Sequence, residues 1–158
     1  MCNSFSLARA INFAILNDID VLNLSIGGPD DPLLTELIEV ALAAGIVVVA
    51  ASGEGDALVH PAALDGVIAA GQVVGQSVPA PMIDVLTTAP GAGHRYASGS
   101  SIATAHVSGV VALMLAKDPT LTPLDIAQRL SEAIREIETQ PMLNACTAMF
   151  GPSEECTL

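Results

Sequence analysis

Six consecutive apolar residues, Ile46-Val47-Val48-Val49-Ala50-Ala51, follow directly on a glycine that closes an amphipathic stretch. No other feature limits the fold so tightly. A strand with one wet face alternates polar and apolar side chains, whereas a strand without alternation is covered on both sides. Burial on both faces belongs to a parallel sheet with helices above and below it. The preceding residues supply such a helix. Asp31 is a side-chain acceptor at the N-cap and Pro32 fits the first turn, where no amide partner is needed. Leu33, Leu34, Leu37, Ile38, Ala41 and Leu42 make an inward stripe, Glu36 and Glu39 face out, and Gly45 suits a left-handed C-terminal position.

The same alternation extends along the chain. Residues 6–16 carry Leu7, Ala10, Ile11, Ala14 and Ile15 at helical spacing, and residues 20–25 form a short apolar strand that ends at Gly27-Gly28-Pro29. Residues 66–72 read as a further strand, residues 83–86 as a weaker one, and residues 87–100 as a Gly/Ala/Ser-rich loop. Residues 101–115 are apolar nearly all round, the pattern of a central buried helix. A last amphipathic helix opens at Thr122-Pro123 and runs to about Glu136, with residues 141–158 irregular. The expected class is α/β, a parallel sheet with helices on both faces, with residues 1–136 as one structural part and residues 137–158 as an irregular C-terminal tail.

Composition narrows the partners. Seventeen acidic residues against five basic ones leave a formal charge of −12, which excludes nucleic acid or an anionic membrane surface as the main partner. Residues 101–116 contain His106 and fall short of the roughly 20 residues that a bilayer span needs. Residues 1–12 lack the charged and apolar regions of a signal peptide, and the compartment stays open. The mean hydropathy of +0.58 is high, so either the core is unusually complete or some apolar surface expects a partner. Cys2, Cys146 and Cys156 show no zinc spacing; Cys146 and Cys156 are a bridge or two free thiols.

Chemistry concentrates at Gly99-Ser100-Ser101. A serine at the start of a buried helix lies beside unpaired amides and the positive end of the helix dipole, where a developing oxyanion is stabilised. An ordinary N-cap is the commoner reason for a serine there. No lysine follows Gly99 as a phosphate loop requires, and Ser25-Ile26-Gly27-Gly28 does not make a dinucleotide fingerprint. Asp30-Asp31 and Glu154-Glu155 lack a calcium loop, so neither a metal nor a cofactor is assigned.

The run Gly99-Ser100-Ser101-Ile102-Ala103-Thr104-Ala105-His106-Val107 resembles the nucleophile motif of the subtilisin-like (subtilase) serine proteases. Three further stretches agree in order. Asp20 through Pro29 resembles the family's substrate-lining strand, Gly45 through Gly53 its strand leading to the oxyanion-hole turn, and His60-Pro61-Ala62-Ala63 with residues 67–71 the next turn and strand. The resemblance covers roughly residues 6–134 and implies the C-terminal half of a subtilisin-like peptidase domain, a partial three-layer fold.

On this likeness Ser101 falls on the nucleophile. Ser25, Ile26, Gly27 and Gly28, with Ala51, Ser52 and Gly53, would line a specificity pocket and pair with an extended peptide or protein substrate. Glu54 stands where the family has its oxyanion-hole asparagine; an ionised carboxylate donates no hydrogen bond and repels the developing charge. The family's catalytic aspartate and histidine belong to the first half of its sheet. His60, His94 and His106 do not fit the base, and a serine without a base is a weak nucleophile. Two readings result: a serine endopeptidase whose present half is inactive alone, or a non-catalytic pseudoprotease that binds peptides or serves in an assembly. Half a doubly wound sheet also leaves the first strand's edge and its helix uncovered, so a complementary N-terminal half or self-association is expected.

Overall fold

A computed structural model of the chain describes residues 3–73, 75–137, 139–153 and 156; Cys2 and the Glu154-Glu155 pair lie outside them. The architecture is three-layered. A parallel sheet in the order β1-β2-β3 (Val21–Leu24, Val47–Ala51, Ile68–Ala70) lies between two groups of helices. One face carries α1 (Ser4–Leu16) and α2 (Pro32–Ala43); the other carries α3 (Ser100–Lys117), α4 (Pro123–Glu132) and α5 (Ala145–Phe150).

Strand β2 explains why both faces are covered. Val48 and Ala50 turn toward Ile11, Ile38 and Ala41, whereas Val47 and Val49 turn toward Ala103, Val107, Val111, Ile126 and Leu130. All five β2 residues are buried, as the absence of alternation required. The connection into β2 is set locally. Gly45 adopts φ +86°, the Ile46 amide donates to Ala41 O at 3.1 Å, and the Gly45 amide donates to Leu42 O at 3.0 Å. These bonds satisfy the last carbonyls of α2 and turn the chain into the sheet within one residue. At the other end of α2, Asp31 accepts from the Leu33 and Leu34 amides.

Helix α4 starts with a reciprocal cap. The Thr122 amide and hydroxyl donate to Asp125 Oδ2 at 2.9 and 2.6 Å, and the Asp125 amide donates back to Thr122 Oγ1 at 3.2 Å. The Thr122 hydroxyl first, and then its amide, hold the Asp125 carboxyl below the usual aspartate range.

Helix α3 has 18 residues and by length and composition alone is apolar enough to cross a membrane, unlike the shorter stretch read from the sequence. In this fold it is the core helix, burying Ala103, Val107, Val111 and Met114 against the sheet. Its opposite side is exposed at Ala105, Gly109, Ala112 and Leu113.

Three expectations need correction. Residues 87–100 are not merely a loop: β4 (Val85–Ala89) and β5 (Gly93–Ala97) pair antiparallel, with Thr87 opposite Arg95. Their turn places Gly91 at φ +80° and Ala92 at φ +59°, so the small residues read as loop composition are those of a tight hairpin. The last amphipathic helix ends at Glu132 and not near Glu136. Residues Ile134–Ile137 (β6) pair with Gln140–Leu143 (β7), and the Asn144 amide takes the Ala133 carbonyl at 2.9 Å. Nor is the C-terminal segment irregular. Asn144 caps α5, Ala148 enters the core, and Cys146 is bridged to Cys156 with Cα atoms 5.4 Å apart. Periodicity is uninformative over six residues, which is why α5 escaped the pattern reading.

Candidate active site

Ser101 is the second residue of α3 and is exposed at the end of the helix that faces the sheet's carboxyl edge. The chain reaches it through Gly99, at φ +135°, whose amide donates to Met82 O at 2.8 Å. Ser101 Oγ donates to Ser25 O at 3.2 Å, and Ser25 Oγ donates to Ser101 O at 3.1 Å. Residues 76 positions apart are thus latched at the C-terminal end of β1. The latch continues outward: Asn23 Nδ2 donates to Ser25 Oγ at 3.0 Å, and Ser108 Oγ donates to Asn23 Oδ1 at 2.8 Å.

The glycines after β1 lie close by. Ile26 is half-buried and Gly27 and Gly28 are exposed, while the Gly28 amide donates to His60 O at 3.0 Å in an isolated antiparallel bridge. On the other side, Ala51 and Ser52 are buried and offer backbone to this edge of the sheet. The Ser52 amide is taken by Ala70 O at 3.0 Å and its carbonyl by the Val59 amide at 3.3 Å. Gly53 turns away at φ +91°. The two segments singled out in the sequence therefore meet around one short third segment, residues 58–60, of which sequence reasoning singled out only His60. Its apolar Leu58-Val59 pair carried no motif; only the proximity of two glycine backbones reveals it.

Glu54 does something that its sequence position did not indicate. Its Oε1 accepts from the Ser100 amide at 3.0 Å and from Ser100 Oγ at 3.2 Å. Gly99, the N-cap of α3, has no side chain to offer, so Glu54 caps the helix from the β2 turn. A carboxylate at a helix N-terminus is favoured by the dipole. The Ser101 amide, one residue on, has no partner among the described residues.

The histidines are dispersed. His60 is buried with Nε2 3.1 Å from Thr35 Oγ1, His94 is exposed on β5 opposite Thr88, and His106 is exposed on α3. Among the described residues, the only hydrogen-bond partner of Ser101 Oγ is the Ser25 carbonyl, an acceptor that orients the hydroxyl and does not deprotonate it. What the arrangement supplies is an exposed hydroxyl, a free amide beside it, and glycine-flanked backbone at a sheet edge.

Comparison with known proteins agrees with this geometry. A family model described as the subtilase family matches residues 2–151. Subtilisin DY of Bacillus licheniformis is 37% identical over 146 residues, covering 80% of this chain and 53% of that protein. The major intracellular serine protease of Bacillus subtilis is 35% identical over 129 residues, covering 68% of this chain and 40% of that protein. A solved structure of the self-cleaved protease domain of PatA superposes with a TM-score of 0.79 at 29% identity, over 93% of this chain and 67% of that one. The chain spans about half, or less, of the length of these curated relatives.

Proposed function

Because this chain belongs to the subtilase family, we propose that it is the part of a serine endopeptidase that carries the nucleophile, with Ser101 attacking a peptide carbonyl. The observation that carries this reading is the position of Ser101: an exposed hydroxyl at the N-terminus of the buried helix, 3.2 Å from the backbone that follows β1. The unpartnered Ser101 amide is available to a developing oxyanion. Gly27, Gly28 and Gly53 leave backbone open to an extended peptide, which would add itself as a strand. The base that activates Ser101 comes from outside the described residues, and the chain by itself is a weak hydrolase. Treatment with a fluorophosphonate, which needs little more than a nucleophilic serine near anion-stabilising amides, is expected to label Ser101 and no residue of a Ser101→Ala variant. Mass spectrometry of the digested adduct decides it; no label, or a label elsewhere, removes Ser101 from the mechanism.

Glu54 favours a second reading, a non-catalytic peptide-binding or assembly subunit, because a carboxylate occupies the place of an oxyanion donor. In that case peptides bind at the glycine edge and labelling fails.

A partner completes either reading. The chain exposes 9330 Å², about 1,900 Å² more than a compact monomer of this mass is expected to show. That excess is more than twice the roughly 800 Å² that a standard-size specific interface removes from each side. The uncovered surface includes the free edge of β1 and the Ala105, Gly109, Ala112 and Leu113 side of α3. The occupant we propose is a complementary segment of the same fold bearing the acid and the base; in its absence a second copy of this chain takes its place. Sedimentation of the isolated chain is expected to show self-association. A strictly monomeric species with one sharp calorimetric transition overturns it.

A further inference from the structure

Ser101 stands near the start of α3, and the last residue of that helix, Lys117, lines a cavity of about 570 Å³. The helical rise from residue 101 to residue 117 sets them roughly 24 Å apart, so this cavity is separate from the candidate active site. Its walls come from the ends of three helices: Lys117 of α3, Arg129 and Glu132 of α4, and Thr147 and Phe150 of α5, with Pro152 beyond them. Pro152 lies outside the residues that the family match covers. The volume suits a small organic molecule, whose pockets span about 300–1,000 Å³.

Three polar groups of the wall have donors to spare. Lys117 Nζ donates to Met149 O at 2.8 Å and lies 4.1 Å from the centroid of the Phe150 ring, which fixes the ammonium and leaves it further N–H donors. The Arg129 guanidinium makes no hydrogen bond among the described residues. Hydrogen bonds from Thr120 and Thr122 first, and the charge of Arg129 after them, hold the carboxyls of Asp118 and Asp125 below the usual aspartate range. Both carboxylates are thus engaged without bonding the guanidinium, and Glu132 accepts from Gln128 Nε2 at 2.9 Å. Thr147 is only 6% exposed, yet its hydroxyl has no partner among the described residues. No side-chain oxygen there that is wholly shut off from solvent goes unpaired, so this hydroxyl opens on the cavity that Thr147 lines. The α5 wall is held in place, because Asn144 Nδ2 donates to Cys156 O at 3.0 Å and Cys156 is bridged to Cys146.

We propose that this cavity is a binding site for an organic monocarboxylate with an apolar body, held by Arg129, Lys117 and Thr147. A guanidinium receives a carboxylate through two parallel N–H bonds, and the ammonium and hydroxyl supply further donors to the same oxygens. Phe150, itself 61% exposed, and Pro152 offer apolar surface to the rest of the ligand. Charge sets the class. The chain carries a formal charge of −12, yet Lys117 and Arg129 against Glu132 leave this wall one positive charge. One negative charge neutralises it. A dianion such as phosphate meets Glu132 with its second charge uncompensated. The inference is independent of the role given to Ser101.

The test titrates the full chain with N-acetylphenylalanine, its neutral counterpart N-acetylphenylalaninamide, and inorganic phosphate, while amide resonances are followed. N-acetylphenylalanine is expected to shift the Lys117, Thr147 and Gly151 amides saturably, and to bind more weakly as salt is raised. The neutral amide and phosphate are each expected to bind at least about tenfold more weakly. Arg129→Gln, which removes the charge, and Thr147→Val, which removes only the hydroxyl, are each expected to weaken the carboxylate about tenfold. Thermal melts verify that both variants fold. Should Thr147→Val fail to fold, Arg129→Gln decides alone, since its side chain holds no hydrogen bond among the described residues. No saturable shift with the carboxylate overturns the site, as does a folded Arg129→Gln chain that binds like the wild type. Equal binding of the neutral amide, or phosphate bound as tightly as the carboxylate, overturns the assigned ligand class.

Discussion

Glu54→Asn is expected to speed fluorophosphonate labelling of Ser101 by about tenfold or more, because it exchanges a charge that opposes a developing oxyanion for a donor that stabilises it. The direction follows from geometry. The Glu54 carboxylate lies on the Ser100 amide, one residue from the attacking hydroxyl. Negative charge building on a reacting carbonyl or phosphonyl oxygen at the Ser101 amide meets that carboxylate at close range. One well-placed donor is worth about 10²–10³ in turnover, a magnitude known from subtilisin itself. Labelling without a general base expresses only part of it. The same substitution removes the acceptor that caps α3, which costs about 1 kcal/mol and lowers the unfolding temperature by about 2–4 °C in a chain of this size. Glu54→Gln separates the two effects, since it removes the charge and keeps the reach. Faster labelling with slightly reduced stability in both variants supports the assignment. Unchanged or slower labelling in both would mean that the carboxylate does not face the reacting centre.

Gly71→Ala is expected to destabilise the fold by about 3 kcal/mol, the upper range for forced overpacking combined with an unfavourable backbone angle. That corresponds to a drop of about 6–12 °C in unfolding temperature. Gly71 adopts φ +152°, and a Cβ there would collide with Ser52 Oγ and lie 2.9 Å from Ser52 Cβ and 3.5 Å from Ser100 Cβ. Ser52 is fully buried and bonded to the Gly53 carbonyl, so it cannot swing into solvent. The glycine is thus the point at which β3, the β2 turn and the start of α3 close on one another. A second change tests the mechanism: Ser52→Gly removes the group that the new methyl meets, and it is expected to recover much of the loss when combined with Gly71→Ala. A Gly71→Ala variant melting within about 2 °C of wild type, less than 1 kcal/mol for this chain length, would show that the contact relaxes freely.

The two substitutions bracket what a linear reading sees. Both residues occur in stretches whose family resemblance is visible in the sequence, yet neither contact is. Glu54 is recognisable in the sequence as a departure from the expected asparagine, which implies a lost donor and a repelling charge. Its second role, as the cap for a helix 46 residues further on, depends on Gly99 lacking a side chain and on Ser100 arriving beside it. The hairpin of residues 85–97 is not legible in the sequence because turn glycines and loop glycines look alike in composition, and its strands are only five residues each. The apolar period overruns the end of helix α4 because Ala133 and Ile134 continue it; the change to strand is imposed by pairing with β7.

Patterns that act over one helical turn or one strand were decided by the order of residues alone: the helix that Asp31 and Pro32 start and Gly45 stops, the strand buried on both faces, and the apolar helix that has Ser101 in its first turn. Their causes are local, namely backbone capping and the period at which apolar groups recur. Tertiary structure alone decided that Ser25 and Ser101 share two hydrogen bonds, that Glu54 reaches the start of α3, and that Val59 fills the gap between Gly27 and Gly53. These contacts join segments distant in the chain, and their separation in space is set by how the layers pack, a quantity that no stretch of sequence carries by itself.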